Sequence, residues 1–274
     1  MENLEFSYEQ GFLDSKTEAW VRECRKRFEK WFVLTGDVNS LAVDTIFQFD
    51  AHNKLIHEML LATLYLRTLH NYQGTILMAE RGMMAQGRIM ARSILDSVFP
   101  LVAIAKDQEF AATYAENHTL QQVKYFRKVQ KLTTARLPDV DAPENLARAA
   151  ELQEQIDAKG IKHISTESIA ERAGLGEWYL TAYSLLSGTV HARAGDLEEY
   201  LVLAPDDEIK EFDWGPKTKG MELLLMSAME SMLMGVEHAV TISPRHPSSR
   251  LEELRARLVA LVQSQFGDMN QEAT

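Results

Sequence analysis

The stretch "KTKGMELLLMSAMESMLMGVEHAV", residues 217–240, is the most apolar helical run in the chain. Met221, Leu225, Ala228, Met232 and Val236 recur at steps of three and four, with Met229 beside them. That period belongs to an α-helix, in which residues three and four apart share a face. Glu230 and Glu237 interrupt the run. It therefore reads as a core helix rather than one of the roughly 20-residue apolar spans that cross a bilayer. Methionine suits an irregular core, and equally an adaptable dimer or ligand face.

The same period extends outward in both directions. "KTEAWVRECRKRFEKWF" sets Trp20, Cys24, Phe28 and Trp31 on one stripe, with Ser15 and Glu18 spaced as a capping box. This predicts a helix over 15–34. "SLAVDTIFQFDAHNKLIHEMLLATLYLRTL" predicts one long helix, or two with a break near Asp50–Asn53. Residues 72–105 read as helical, with Gly74, Gly82 and Gly87 as small contact positions and Pro100 set to kink the helix or end it near Phe99. Asp107 opens a helix over 108–134, and "LPDVDAP" is a turn-rich connection. "APENLARAAELQEQIDAKG" is a polar helix closed by Gly160, and "STESIAERAGLG" a short capped one. Two short runs around "PDDE" suggest an irregular hairpin near 199–213. "SPRHPSS" links to a last amphipathic helix, 248–267. Seven or more helices without an alternating strand series make the chain all-α, a multi-helix bundle. It reads as a single domain, 1–274, with the helices at 15–34 and 248–267 peripheral.

Composition narrows the function classes. The chain has 274 residues, 46% hydrophobic and 25% charged, with a formal net charge of −11. That acidity disfavours specific DNA binding, which needs cations against phosphates. Two dense basic stretches remain: Lys124, Arg127, Lys128, Lys131 and Arg136, and Arg22, Arg25, Lys26, Arg27 and Lys30. They read as solvated helix faces, or as a surface for phosphate or an acidic partner. The single cysteine, Cys24, excludes an internal disulfide framework and a thiolate zinc site. It suggests a reducing, cytoplasmic setting, and the acidic start "MENLEFSYEQ" lacks the order of a signal peptide. No membrane association is expected. A phosphate-cradling P-loop, a dinucleotide fingerprint, H-E-x-x-H, Glu-x-x-His and a G-x-S-x-G elbow are all missing from the sequence. No metal or cofactor is expected.

Polar residues inside apolar helices mark the candidate site. "AYSLLSGTVHARAGDLEEYL", residues 182–201, carries Tyr183, Ser187 and His191 at four-residue steps and breaks at Gly195. Such groups on an inward face need partners, or each costs about 1–3 kcal/mol. "GRIMARSILDSVF" offers Arg92 and Asp96, also four apart, and "AATYAENHTL" offers Tyr114 and His118.

An "RSILD" helix, a helix capped after "AIAKDQEFAATY", and a late Y-x3-S-x3-H element follow one another in this chain. This order resembles a bacterial helical family, the domain of unknown function 5677, over about residues 60–200. The resemblance implies an all-α fold and a polar cluster of Arg92, Asp96, Tyr183, Ser187 and His191, with aspartate where the family's element carries glutamate. It implies no activity. A more distant similarity is to HEPN helical domains, many of them metal-independent ribonucleases, which use an arginine and a histidine. Those two usually share one segment. Here His70 follows Arg67 too closely and Arg193 lies after His191. The arginine would have to be Arg92, from another helix.

Three readings follow. In the first, the cluster fixes helix register and the chain is a dimeric interaction module, a homo-oligomer or one with a protein partner, in a toxin–antitoxin or phage-defence setting. In the second it is a ribonuclease or nucleotide-processing enzyme. His191, Arg92 and Asp96 would be catalytic, and Tyr183, Ser187, Arg193 and His118 would bind RNA or a nucleotide. In the third, a small-ligand sensor uses a cavity between the methionine-rich helix and the 72–105 helix.

Overall fold

A computed structural model describes residues 6, 9–50, 54–130, 143–191, 194–206, 208–242 and 248–267. The chain is all-α apart from one small hairpin. Its long helices are α1 (Thr17–Arg27), α2 (Glu29–Ile46), α3 (Ile56–Glu80), α4 (Met84–Lys106), α5 (Phe110–Gln130) and α6 (Pro143–Lys159). Shorter pieces follow: α7 (Thr166–Ala173), α8 (Gly176–Trp178), a π-helical turn at Tyr179–Tyr183, α9 (Ser184–Val190) and α10 (Ala194–Leu197). The hairpin strands are β1 (Leu201–Leu203) and β2 (Ile209–Phe212), and the chain continues into α11 (Met221–Ala239) and α12 (Ser248–Phe266).

The centre is a sandwich of α3, α4 and α11. Tyr65, Tyr72, Ile94, Phe99, Met221, Leu225 and Met229 are fully buried in it. Polar atoms carried inward are satisfied by neighbouring backbone: Tyr65 Oη donates to the Ala42 carbonyl and Tyr72 Oη to the Thr35 carbonyl, each at 2.8 Å. Met221–Ile242 is long and apolar enough, by length and composition, to cross a membrane. It reaches this in spite of its two glutamates, and it lies packed against α2, α3, α4 and α12. Leu251, Leu254 and Leu258 of α12, and Val21 and Cys24 of α1, are buried. Ion pairs Arg257–Asp37 and Arg255–Glu237 at 2.6 Å, and Arg250–Asp44 at 2.7 Å, tie α12 down.

Local expectations fare unevenly. Ser165 caps α7 by accepting from the Ser168 amide at 3.1 Å, and Gly174 ends it in the left-handed region. Asp107 accepts from the Glu109 amide at 3.1 Å, ahead of α5. The hairpin forms, antiparallel, with a bulge between Val202 and Leu203. Residues 137–142 of the turn-rich connection and the 243–247 linker lie outside the described residues, as do Lys131 and Arg136.

Three expectations need correction. The helix expected over 15–34 breaks at Phe28, and its second half runs on to Ile46. The break lets Val21 and Cys24 on α1, and Trp31, Leu34 and Val38 on α2, each turn inward. Ser15 forms no capping box, because the helix starts one residue later than that box requires. The 72–105 stretch is two helices, broken at Arg81–Met83. Gly82 has φ +73°, and a Cβ there would lie 2.6 Å from Pro216 Cβ, so this glycine makes a turn rather than a helix contact. Beyond these three, one of the two alternatives read at Pro100 is not realised: α4 does not end near Phe99 but runs on to Lys106 with Pro100 inside it. Its missing N–H costs about 3 kcal/mol in a helix interior, and burial of Val98, Phe99, Leu101, Val102 and Ile104 around it offsets that loss.

Candidate functional site

Helix α4 presents Arg88, Arg92 and Asp96 at four-residue steps, and α9 with its π-helical approach lies across them. Arg92 is committed on every side. Its Nη1 pairs with Asp96 Oδ2, its Nη2 donates to Tyr183 Oη, and its Nε donates to Ser187 Oγ at 3.2 Å. The guanidinium carbon stands 4.5 Å from the centre of the Tyr183 ring. Tyr183 Oη donates in turn to Asp96 Oδ1 at 3.1 Å, and Ser187 Oγ to the Tyr183 carbonyl at 2.7 Å. The expected meeting of Arg92, Asp96, Tyr183 and Ser187 is thus present.

The π turn sets this geometry. It inserts an extra residue in the helix just ahead of Ser184, and Ser184 Oγ donates to the Tyr179 carbonyl at 2.8 Å across five residues. Tyr179 stacks on Tyr183 with ring centres 5.1 Å apart, and Phe99 closes the far side at 5.7 Å.

Arg88 makes a second rung that the sequence reading passed over. Its Nε donates to Thr189 Oγ1 at 3.3 Å and its Nη2 pairs with Glu199. Thr189 Oγ1 donates to Asp196 Oδ1 at 3.2 Å. A Cβ at Gly188 would lie 2.7 Å from Asp196 Oδ2, so a larger residue there would make that carboxylate shift. The signal for Arg88 was present, four residues before Arg92 on the same face.

Burial pushes the Asp96 carboxyl above its ordinary range, while Arg92, the Tyr183 hydroxyl and Arg67 pull it back. Tyr183 is raised by burial and then by the Asp96 charge. Tyr114 is raised by burial, with Arg67 opposing and Asp96 reinforcing, so Tyr114 and Arg67 border the same carboxylate.

His191 is not brought in. It is the residue just past α9, exposed, and its side chain makes no hydrogen bond, ion pair or ring contact with a described residue. Each four-residue step advances about 40° around a helix, so two steps carry His191 away from the Tyr183 face. His118 on α5 is exposed and equally without such a contact. Arg193 lies outside the described residues. Among the described residues no three His, Cys, Asp or Glu side chains converge as metal ligands.

A second buried carboxylate stands at the end of α3. Glu80 accepts from Arg25 Nε at 2.8 Å and from Arg81 Nη1 at 2.7 Å, which ties α1 to α3. Arg25, one member of the basic stretch, is therefore paired with Glu80 although its own side chain is exposed.

No curated protein and no solved structure gives a significant match to the chain. A family model described as a family of unknown function (DUF5677) matches residues 58–209, just over half the chain. That stretch runs from α3 into β2 and contains the whole Arg92 cluster. By that match, the chain belongs to the family of unknown function DUF5677.

Proposed function

We propose that the chain is a non-catalytic interaction module that self-associates through the apolar face of the β1–β2 hairpin. One observation carries this reading. Leu203 lies opposite Ile209, and Leu201 opposite Phe212, so all four share one face. Leu203, Ile209 and Phe212 are 50%, 56% and 70% exposed. Leu201 and Leu203 also line an open cleft of about 690 Å³, together with Met84 and the charged Arg88, Glu198, Glu199, Lys217 and Lys219. An isolated two-stranded hairpin is marginal in water. One that holds its apolar side outward needs a partner surface to bury it. The backbone edge of β2 is guarded by Glu208, Lys210 and Glu211 and by the bulge. Association therefore runs through side chains rather than by strand addition.

The engaged state of Arg92 supports the same reading. A HEPN-type ribonuclease would need Arg92 to release Asp96, Tyr183 and Ser187 before it could hold a phosphate. The exposed imidazole of His191 would have to come to it. A closed network joining α4 to α9 instead positions α10 and the hairpin that follow, through Arg88 and Glu199. A second copy buries the apolar face; a toxin–antitoxin or phage-defence partner would use the same face.

Sedimentation velocity on the wild type and on the Ile209→Asp/Phe212→Asp double variant tests this. A wild-type dimer that the variant turns into a folded monomer is expected. A wild type monomeric at all concentrations, or a variant that stays dimeric, would overturn the proposal.

A further inference from the structure

A groove of about 340 Å³ lies between α11 and α12, closed at one side by Trp178 of α8. Its walls are mostly apolar, with Leu233, Met234, Leu258 and Val262 beside the Trp178 ring and Gln263 at one point of the lining. Glu230 also lines it, half-buried, and makes no hydrogen bond or ion pair with a described residue. The nearest cation does not serve it. Arg255 reaches the groove, but its Nη1 and Nη2 donate to Glu237 at 3.4 and 2.6 Å. A carboxylate in an apolar groove loses hydration and gains nothing in return. Burial pushes the Glu230 carboxyl above its ordinary range, with no opposing influence.

We propose that this groove binds a small organic cation, an ammonium group on an apolar body, with Glu230 as the counter-charge. Charge complementarity selects the occupant, because Arg255 is engaged by Glu237 and the one charged group of the lining without a described partner is negative. The ammonium restores to Glu230 the interaction that burial removed. The apolar body covers Leu233, Leu258 and Val262, and the indole face of Trp178 can hold the cationic end as well. The volume falls at the small end of ligand pockets and fits a single-ring amine. Helices α11 and α12 lie beyond the stretch that the family model matches, while Trp178 lies within it. The proposal is independent of the hairpin surface.

Isothermal titration calorimetry on the whole chain tests it, with phenethylammonium and benzyltrimethylammonium as probes and 2-phenylethanol as the neutral counterpart. Saturable binding of both cations is expected, roughly tenfold or more tighter than the alcohol, since a charge-assisted contact is lost with the ammonium. Glu230→Gln should reduce cation binding to the level of the alcohol. Val259→Arg, at an exposed position on the groove wall, should abolish cation binding by supplying its own guanidinium, and serves if the Glu230 variant misfolds. Equal binding of cation and alcohol, cation binding undiminished in both variants, or no saturable binding of either ammonium would each overturn the proposal.

Discussion

Arg92 of α4 reaches Ser187 of α9 through Nε at 3.2 Å while its guanidinium carbon stands 4.5 Å from the Tyr183 ring centre, so one side chain joins segments 95 positions apart. Each of its three guanidinium nitrogens donates to a neighbour, Ser187, Asp96 or Tyr183. Arg92→Met keeps the aliphatic stem and removes every one of these bonds. The expected loss is about 2–3 kcal/mol, from charge-assisted hydrogen bonds and a half-buried Asp96 left without its cation, with only the Tyr183 hydroxyl to serve it. For a chain of this size that lowers Tm by roughly 5–10 °C, read by calorimetry. A Tm within a degree or two of the wild type would show that the network carries no stability.

His191→Ala should behave differently. The imidazole is exposed and without a described partner, so its removal should stay within about 0.5 kcal/mol of the wild type, as surface changes do. A large destabilisation in a melting experiment would place His191 inside the network.

Glu230 sets a pH dependence whose sign is definite. Its folded-state carboxyl titrates above the ordinary 4.5 because of burial. Between those two values the folded chain holds more proton than the unfolded chain, so this group's contribution falls as pH rises through that window. Asp96, raised by burial but held back by Arg92, has the same sign. Glu230→Gln should therefore raise Tm at neutral pH and flatten the acid side of the stability profile. A lower Tm at neutral pH would contradict an unpaired carboxylate.

Cys24 is fully buried, and burial, then the Glu80 charge, push its thiol up to about 11. Only the thiolate reacts, so native protein should resist a disulfide reagent at mildly alkaline pH and react at once when denatured. Rapid native labelling would mean that α1 opens away from α3.

Gly82→Ala should destabilise by about 1–3 kcal/mol, because φ +73° strains any L side chain and the new Cβ meets Pro216 and the Lys217 amide. Thermal melts that show no loss would mean the α3–α4 turn relaxes freely.

Much of this architecture was legible before any coordinate. The spacing of Met221, Leu225, Ala228, Met232 and Val236 marked the core helix, and all five are buried. Four-residue steps and the need to satisfy buried polar groups marked Arg92, Asp96, Tyr183 and Ser187 as candidates, and the family resemblance implied that they meet. What escaped the sequence was non-periodic. The π turn at Tyr179–Tyr183 leaves no compositional mark, because it is selected by tertiary fit rather than propensity. The break at Phe28 falls on a residue that the stripe assigns to a continuing helix. Pro100 survives inside α4 because packing outweighs a local penalty. His191 kept its spacing but lost its face, since α9 ends one residue before it.

The claim that Arg92 is committed to holding α9 is tested most directly by hydrogen exchange on residues 179–190, comparing wild type, Arg92→Met and His191→Ala. Faster exchange in this segment for Arg92→Met, with wild-type protection in His191→Ala, is the predicted result. Unchanged protection in Arg92→Met together with loss of protection in His191→Ala would contradict it.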